Sequence, residues 1–406
     1  MDINWSSRFA NRTQYMQASA IRELLKVAAR PDVISFAGGL PAAEVLPVEE
    51  VAVATENILR KQGRVALQYG ASEGYAPLRE QIAAMYRAHG VPATVDNILL
   101  TNGSQQGLDL IGRVLINEGD SLLVEAPTYV GALQAWRPLA PNFLTISIDD
   151  QGMCVDEIDS LDEFSLTYVL PNFQNPTGVT LAGSRRERLV RSIHARGALI
   201  VEDDPYHELR YSGQASPSLI EIEAQILGAD WNKRGRVIYL GTFSKTLAPG
   251  LRVGWVLAPD PVITMMTLAK QGTDLHTSML SQMIVSELID GRTIEQNLPR
   301  LRSVYGTRRD AMVNALQAFM GDCATWTHPD GGLFLWLTLK GDIDTAVLLD
   351  QALEEKKIAY VPGNAFYLDG SGTHEMRLNF SCMSPARIHE GIERLASLIP
   401  QQSIVQ

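Results

Sequence analysis

The chain has 406 residues, of which 46% are hydrophobic and 20% charged, so it has the composition of a folded globular protein that is long enough for two domains. Its net charge of −11 disfavours DNA as a partner, and no apolar run approaches the length of about 18 residues that a membrane span needs. Three widely separated cysteines and seven histidines without metal-binding spacing predict neither a disulfide framework nor a metal site.

The N-terminus lacks the basic start and apolar run of a secretory signal, which favours a cytoplasmic protein. Further along the chain, short apolar runs predict buried strands at residues 98–100, 166–170, 198–201 and 237–240. Between two of them, residues 182–196 place Leu189, Val190 and Ile193 on one helical face before Gly197. This β-α-β pattern predicts an α/β fold with a large, mostly parallel mixed sheet flanked by helices.

Polar clusters follow these predicted strands directly, at residues 101–106, 172–178, 202–206 and 241–245. In parallel sheets, ligands bind beyond the carboxyl ends of the strands, so we expect the four clusters to meet in one site.

The C-terminal part differs, because residues 331–336 and 376–380 predict strands of a smaller α+β unit. We therefore expect an N-terminal arm with part of the small domain at residues 1–55, a large domain at 56–294 and a small C-terminal domain at 295–406.

Two clusters carry residue types that suit an anionic ligand. Gly103, Ser104 and Gln105 open a predicted helix, where free backbone N–H groups attract a phosphate, although a serine here is often only a helix cap. Residues 241–254 combine Lys245 with hydroxyl groups and Arg252 in one turn-rich segment. A lysine attacks a carbonyl only when it loses its proton, which desolvation and nearby cations favour. Without context, however, such a lysine is usually a surface charge.

Nine motifs give that context, because they follow one another in the order in which a known protein family has them. They are residues 21–23, 36–41, 68–70, 103–106, 126–129, 175–178, 203–206, Ser244-Lys245 and Arg377. In these motifs the chain resembles the class I/II aminotransferases of pyridoxal 5′-phosphate (PLP) fold type I. It is most similar to 2-aminoadipate and other broad-specificity aminotransferases that use 2-oxoglutarate.

The resemblance implies PLP as cofactor and assigns three catalytic residues. Lys245 would hold PLP as a Schiff base and move a proton between substrate and cofactor. Asp203 would pair with the pyridine nitrogen, and we prefer it to Asp204 because relatives place a tyrosine three positions later, as Tyr206 is here. Tyr206 and Asn175 would bind the phenolic oxygen of the ring.

The remaining cofactor contacts follow from the same resemblance. Tyr129 would stack on the ring, with a core aromatic residue near a strand end as the alternative interpretation. The phosphate would be held by Ser104, Gln105, Thr242, Ser244 and Arg252. Tyr69 would reach the phosphate of the neighbouring subunit, which implies a homodimer with shared active sites.

Two arginines are expected to bind the substrate. Arg377 would hold the α-carboxylate in a bidentate contact, assisted by Asn175 and the backbone near Gly39. In relatives of the 2-aminoadipate type, an arginine at the place of Arg22 meets a side-chain carboxylate and, turned aside, leaves room for apolar side chains. A solvated charge on a helix face is the alternative interpretation of Arg22.

We expect the chain to transfer the amino group of 2-aminoadipate, glutamate, a branched-chain or an aromatic L-amino acid to a 2-oxo acid such as 2-oxoglutarate. One alternative is a diverged biosynthetic PLP enzyme that uses a quinonoid carbanion for elimination, racemisation or carbon–carbon bond formation. The other is a transcription regulator with an aminotransferase-like domain, which would need roughly seventy to a hundred additional N-terminal residues. The nine motifs begin at Ile21, which disfavours the regulator.

Overall fold

The protein is described from a computed structural model, which covers residues 3–16 and 30–399. After two short 3-10 turns, Trp5–Ser7 and Asn11–Tyr15, comes the first strand, β1 (Ile34–Ser35). Eight strands within the described part form the large sheet. They are β2 (Ile98–Thr101), β3 (Ser121–Ala126), β4 (Asn142–Asp149), β5 (Gly152–Met153), β6 (Leu166–Val169), β7 (Leu199–Asp203), β8 (Val237–Thr242) and β9 (Gly254–Leu257).

The strands of the large sheet are ordered β2-β9-β8-β7-β6-β3-β4-β5. Neighbours from β8 to β4 run parallel, whereas β9 is antiparallel to β2 and β8, and β5 is antiparallel to β4. Adjacent residues Ile200 and Val201 of β7 belong to different hydrophobic clusters, because successive side chains of a strand point to opposite faces. Both faces are therefore covered, and the α/β prediction with a mostly parallel mixed sheet is confirmed.

Helices cover this sheet and continue into the C-terminal part. In chain order they are α1 (Val48–Ala66), α2 (Ala76–Ala88), α3 (Ser104–Leu115), α4 (Val130–Trp136), α5 (Gly183–Arg196), α6 (Leu219–Leu227), α7 (Trp231–Arg234), α8 (Asp260–Gln271), α9 (Met279–Asp290), α10 (Thr293–Met320), α11 (Thr345–Gln351) and α12 (Pro385–Ala396). The predicted crossover helix is confirmed as α5. It ends before Gly197, whose backbone has the left-handed conformation that is common after a helix. Over residues 3–16 and 30–399, no helix has both the length and the apolar character for a membrane crossing.

The C-terminal part contains a small antiparallel sheet of strands β10 (Ala324–Trp326), β11 (Phe334–Leu339), β13 (Val361–Pro362) and β14 (Glu375–Asn379), while β12 (Ile358–Ala359) pairs in parallel with β1. The predicted strand start at Gly331 is wrong, because Gly332 has a φ of +72° that does not fit a strand. The strand predicted at residues 376–380 corresponds to β14. The three domain limits stay a prediction.

Candidate active site

Lys245 follows β8 and points toward the N-terminal segment. Its Nζ donates a hydrogen bond to the carbonyl oxygen of Gly39 at 2.7 Å and lies 6.0 Å from the ring centre of Tyr206. Burial lowers the pKa of Lys245 to about 8, and the charges of Arg377 and Arg252 act in the same direction against an opposing effect of Cys382. A larger fraction of this amine is therefore neutral near physiological pH than of an ordinary lysine, as a nucleophile requires.

Asp203 ends β7 and lines the same cavity as Lys245. Its Oδ2 accepts a hydrogen bond from the hydroxyl of Tyr168 at 2.8 Å, whereas its buried Oδ1 has no hydrogen-bond partner within the described part of the chain. Burial raises the pKa of Asp203 to about 7, although the Tyr168 hydrogen bond acts against it. Because Oδ1 is buried and unpaired, a cationic N–H group in the cavity would find an acceptor there and would favour the ionised form of Asp203.

Asp204 lies on the other face of the sheet. Its Oδ2 accepts hydrogen bonds from Asn172 Nδ2 at 3.0 Å and from the Tyr239 hydroxyl at 3.3 Å. It lines a separate cavity of about 660 Å³, which does not include Lys245. The structure thus places Asp203, and not Asp204, in the lining of the cavity that contains Lys245.

Gly103 and the first turn of α3 form a cradle opposite the segment that follows β8. Gly103 has a φ of +75°, and a Cβ atom there would lie 2.5 Å from Nη2 of Arg252. Arg252 Nη2 donates to the carbonyl oxygen of Asn102 at 3.0 Å, which holds the guanidinium over the helix start. The cradle thus combines a guanidinium with backbone N–H groups at a helix N-terminus, a combination suited to a phosphate.

Hydroxyl groups complete the cradle on the side of β8. The Thr242 hydroxyl donates to Ser244 Oγ at 2.9 Å, and it accepts from the Ser244 backbone N–H at 3.1 Å. Ser104 and Gln105 line the same cavity, and Gln105 Nε2 donates to the carbonyl oxygen of Gly131 at 2.9 Å. All five residues predicted to hold a phosphate therefore surround one space.

A partly buried ion pair lies behind the cradle, with Lys270 buried and Asp274 partly exposed. Lys270 Nζ contacts Oδ1 of Asp274 at 2.9 Å and donates to Gln106 Oε1 at 2.8 Å. Asp274 Oδ2 also accepts from Gln106 Nε2 at 2.7 Å and from the side-chain amide of Asn102. No sequence pattern singles out Lys270, which looks like an ordinary charge near the end of α8. Its contacts fix the loop whose carbonyl holds Arg252.

Arg377 forms another wall of the cavity from β14 of the small sheet. Its Nη1 donates to Asn175 Oδ1 and its Nη2 donates to the carbonyl oxygen of Ala37, both at 2.7 Å. The guanidinium lies 4.2 Å from the ring centre of Phe334, and burial lowers the pKa of Arg377 to about 10. It remains a cation at neutral pH, held for a planar anion such as a carboxylate.

Two aromatic residues complete the surroundings of the cavity. Tyr129 precedes α4, and the lack of a side chain at Gly131 makes room for its ring, because a Cβ atom there would lie 2.4 Å from Tyr129 Cζ. Tyr206 is buried beside Asn175, and burial raises the pKa of its hydroxyl. Its hydroxyl group therefore remains protonated at neutral pH and can donate a hydrogen bond.

The structure brings most of the predicted site residues into the lining of one cavity of about 1080 Å³. These are Gly39, Ser104, Gln105, Tyr129, Asn175, Asp203, Tyr206, Thr242, Ser244, Lys245, Arg252 and Arg377. Tyr69 is absent from this lining and is 78% exposed, with its ring 5.7 Å from that of His276. Arg22 lies outside the described residues. Sequence reasoning missed Tyr168, as well as Arg12, Leu40 and Leu139 at the cavity wall.

These residues fit PLP. The cradle at Gly103 and Arg252 suits its phosphate, the unpaired Oδ1 of Asp203 suits its ring nitrogen, and the amine of Lys245 suits its aldehyde. Fold and site together define a PLP enzyme of the α/β class.

Comparison with known proteins identifies the family. The aminotransferase class I and II pattern matches residues 31–395, so the chain belongs to that family. Aromatic-amino-acid aminotransferase 1 of Thermococcus litoralis is 44% identical over 98% of this chain and 96% of its own. The chain is a fold type I aminotransferase, with PLP as cofactor and with amino acids and 2-oxo acids as substrates.

Two solved structures are similar over nearly their whole length. Kynurenine aminotransferase of Pyrococcus horikoshii, in complex with PMP, is 42% identical with a TM-score of 0.91, and the match covers 97% of each chain. The α-aminoadipate aminotransferase of Thermus thermophilus, complexed with N-(5′-phosphopyridoxyl)-L-leucine, is 41% identical with a TM-score of 0.89, and the match covers 98% of each chain.

Proposed function

We propose that this aminotransferase accepts amino acids with acidic, aromatic and branched apolar side chains, and that its cavity residues have the roles implied by the resemblance. The observation that carries the proposal is the meeting of Lys245, Asp203 and Arg377 in one cavity. Asp203 ends β7 and Lys245 follows β8 of the large sheet, whereas Arg377 lies in β14 of the small sheet. Their convergence is therefore specific to the folded chain.

PLP, when bound, supplies an aldehyde that condenses with amines and a ring that accepts electrons. Lys245 Nζ would hold the cofactor and, once free, would accept the proton from the substrate Cα. Asp203 Oδ1 would bind the ring nitrogen and favour its protonated form. Asn175 and Tyr206 would hydrogen-bond the phenolic oxygen, and Tyr129 would stack on the ring. The phosphate would be held by Ser104, Gln105, Thr242, Ser244 and Arg252.

The substrate α-carboxylate binds Arg377, with Asn175 and the backbone at Gly39 beside it. The cavity extends beyond these groups to apolar side chains at Leu40 and Leu139 and to the cation of Arg12. This mixed wall supports both apolar and acidic side chains. The relatives are likewise named for aromatic amino acids, kynurenine and α-aminoadipate.

Our proposed amino donors are 2-aminoadipate, glutamate, branched-chain and aromatic L-amino acids, with 2-oxoglutarate as acceptor. A role of Arg22 in binding acidic side chains stays a prediction from the sequence, as does a cytoplasmic location.

A homodimer with shared active sites is part of the proposal. Tyr69 lies outside the cavity of its own chain and is largely exposed, as expected for a side chain that reaches the phosphate of a neighbouring subunit. The rings of Tyr69 and His276 are in contact, and each of these residues has an exposed apolar neighbour in sequence, Leu67 and Leu275 respectively. Their exposure supports a protein surface that a second copy covers.

A panel of amino donors with 2-oxoglutarate tests the substrate proposal, with glutamate formation as the measurement and 2-aminoadipate, leucine, phenylalanine and kynurenine as donors. We expect glutamate with all four. If none of the four donors yields glutamate, the proposal is rejected. Formation of ammonia, a D-amino acid or an adduct would instead indicate another fate of the substrate.

Replacing Arg377 with lysine tests the carboxylate contact in the same assay. A lysine cannot make a bidentate contact, so we expect kcat/KM to fall roughly hundredfold for every donor. Arg387→Lys is the matched control, because Arg387 pairs with Glu390 at the surface. Equal kcat/KM values for the two variants would reject the role of Arg377.

A further inference from the structure

The two carboxylate oxygens of Asp203 have different surroundings. The Tyr168 hydroxyl donates to Oδ2 at 2.8 Å, and both residues are buried. Oδ1 is also buried but has no hydrogen-bond partner among residues 3–16 and 30–399. Since Asp203 lines the cavity, Tyr168 occupies one oxygen and leaves the other for a ligand.

Tyr168 is held rigidly behind the site. Its ring stands at 89° to that of Trp136, with the ring centres 5.5 Å apart. Trp136 is itself fixed, because its Nε1 donates to the carbonyl oxygen of Leu108 at 2.8 Å. Tyr168 pairs with Val201 in the sheet register, two residues before Asp203, so both side chains lie on the same face.

We propose that Tyr168 is a positioning residue that aims Oδ1 of Asp203 at the ring nitrogen of PLP and keeps the shared proton on that nitrogen. The inference rests on the proposed role of Asp203. A carboxylate that accepts a charge-assisted hydrogen bond at one oxygen binds a proton less strongly at the other. The proton between Asp203 and the ring nitrogen therefore stays on nitrogen, where it makes the ring a better electron acceptor.

The chain offers a matched control on the opposite face of the sheet. The Tyr239 hydroxyl donates to Oδ2 of Asp204 at 3.3 Å, and Oδ1 of Asp204 is likewise buried without a partner in the described part of the chain. Tyr239→Phe therefore removes the same kind of hydroxyl from the same kind of carboxylate. Asp204 also accepts a hydrogen bond from Asn172, and it does not line the cavity of Lys245, so this variant tests the loss of a tyrosine hydroxyl beside a carboxylate outside the cavity.

The experiment compares holoenzymes reconstituted with PLP that carries ¹⁵N in the ring. Solid-state NMR reports whether the ring nitrogen is protonated, and steady-state assays separate kcat from KM. In Tyr168→Phe we expect the ¹⁵N shift to move toward the unprotonated value. We expect kcat to fall roughly tenfold to hundredfold, which is the effect of one hydrogen bond to a charged group, with little change in the KM of the donor.

Tyr239→Phe should keep the ¹⁵N shift and kcat of the unmodified enzyme. An unchanged shift in Tyr168→Phe, or equal changes in the two variants, would overturn the positioning role. Asp203→Asn distinguishes a failure of the Tyr168 proposal from a failure of the proposed role of Asp203. In this variant the ring nitrogen of the bound PLP should lose its proton even though Tyr168 is present. If Asp203→Asn keeps the shift of the unmodified enzyme, the role of Asp203 itself is overturned, and the inference with it.

Discussion

Lys245 Nζ and the carbonyl oxygen of Gly39 are joined by a hydrogen bond of 2.7 Å across 206 positions of the chain. The same N-terminal segment supplies the carbonyl of Ala37 to Arg377. A Cβ atom at Gly39 would lie 2.9 Å from Cζ of Phe334, so the backbone packs closely here. The segment therefore connects the lysine of the large sheet with the arginine of the small sheet, and it closes one side of the cavity.

The lowered pKa of Lys245 predicts how fast the protein without cofactor binds PLP covalently. The amine is protonated below its pKa of about 8 and neutral above it, whereas an ordinary lysine has a pKa near 10.5. Only the neutral amine attacks an aldehyde, so the rate should rise by about tenfold per pH unit up to pH 8 and then level off. Borohydride reduction at timed intervals, followed by mass spectrometry, measures the rate.

Lys245→Ala should show no attachment, and its amino-transfer activity should be lost. A rate that keeps rising to pH 10 would show that the amine has an ordinary pKa. The same result would argue against the burial of this lysine in the cavity.

Gly103→Ala should weaken cofactor binding. The methyl group would lie 2.5 Å from Nη2 of Arg252 and would force the guanidinium away from the phosphate cradle. Loss of one charge-assisted contact costs about 1.5–3 kcal/mol, so the Kd for PLP should rise roughly tenfold or more. Fluorescence titration of the cofactor-free protein measures this affinity.

Gly119→Ala is the control, because Gly119 has a similar positive φ of +83° but nothing within 4 Å of the added atom. Both variants carry the strain of alanine in that conformation. Only Gly103→Ala should lose affinity for PLP, and equal Kd values would contradict the proposed phosphate cradle.

Much of the site could be predicted from the chain because its residues follow predicted strands. Asp203 ends β7 and Lys245 follows β8, and parallel strands bring their carboxyl ends to one edge. Ordered motifs added Arg377, which lies in another sheet and which no local pattern connects to Lys245. Local patterns could not predict this contact because the two residues are far apart along the chain. How the small sheet packs against the large sheet depends on the whole fold and not on a local pattern.

Tyr168 and Lys270 show what local patterns miss. A tyrosine in an apolar strand indicates a core residue, and its contact with Asp203 depends on the register of β6 and β7. Alternation along both strands would have placed the two side chains on one face, once that register was known. Lys270 looks solvated in sequence, but the packing of α8 against α3 buries it, and Asp274 four residues later supplies its counter-charge.

Asp274→Ala should destabilise the holoenzyme. Lys270 is fully buried, and its ammonium would lose the carboxylate that compensates its charge. Removing the partner of a buried charge costs about 3–5 kcal/mol in the free energy of unfolding, and we expect the lower end here because Asp274 is 24% exposed and Gln106 still accepts a hydrogen bond from Lys270. Urea unfolding of the holoenzyme, followed by tryptophan fluorescence, measures the change.

Glu56→Ala provides the comparison, because Glu56 and Arg60 form a pair with the same spacing at an exposed surface. Exposed pairs contribute little, so this variant should unfold at nearly the same urea concentration as the unmodified enzyme. Equal unfolding midpoints for the two variants would mean that Lys270 has water or another partner in place of Asp274.

Tyr69 tests whether two chains share each active site. If the Tyr69 side chain reaches the active site of the neighbouring subunit, each site takes Lys245 from one chain and Tyr69 from the other. Tyr69→Ala and Lys245→Ala then remove groups that different chains supply to the same site. Each homodimer should lose most of its activity. A heterodimer of the two variants, purified through two different tags, contains one site with both residues intact and should recover about half of the unmodified activity.

A heterodimer of Lys245→Ala with Asp203→Asn is the control for this recovery. Both residues line the cavity of their own chain, so each of its two sites lacks one essential group, and activity should stay low. Equal activity in the two heterodimers would contradict shared sites. Recovery only in the pair with Tyr69→Ala would place the Tyr69 side chain in the cavity of the neighbouring subunit, as its exposure in the single chain leads us to expect.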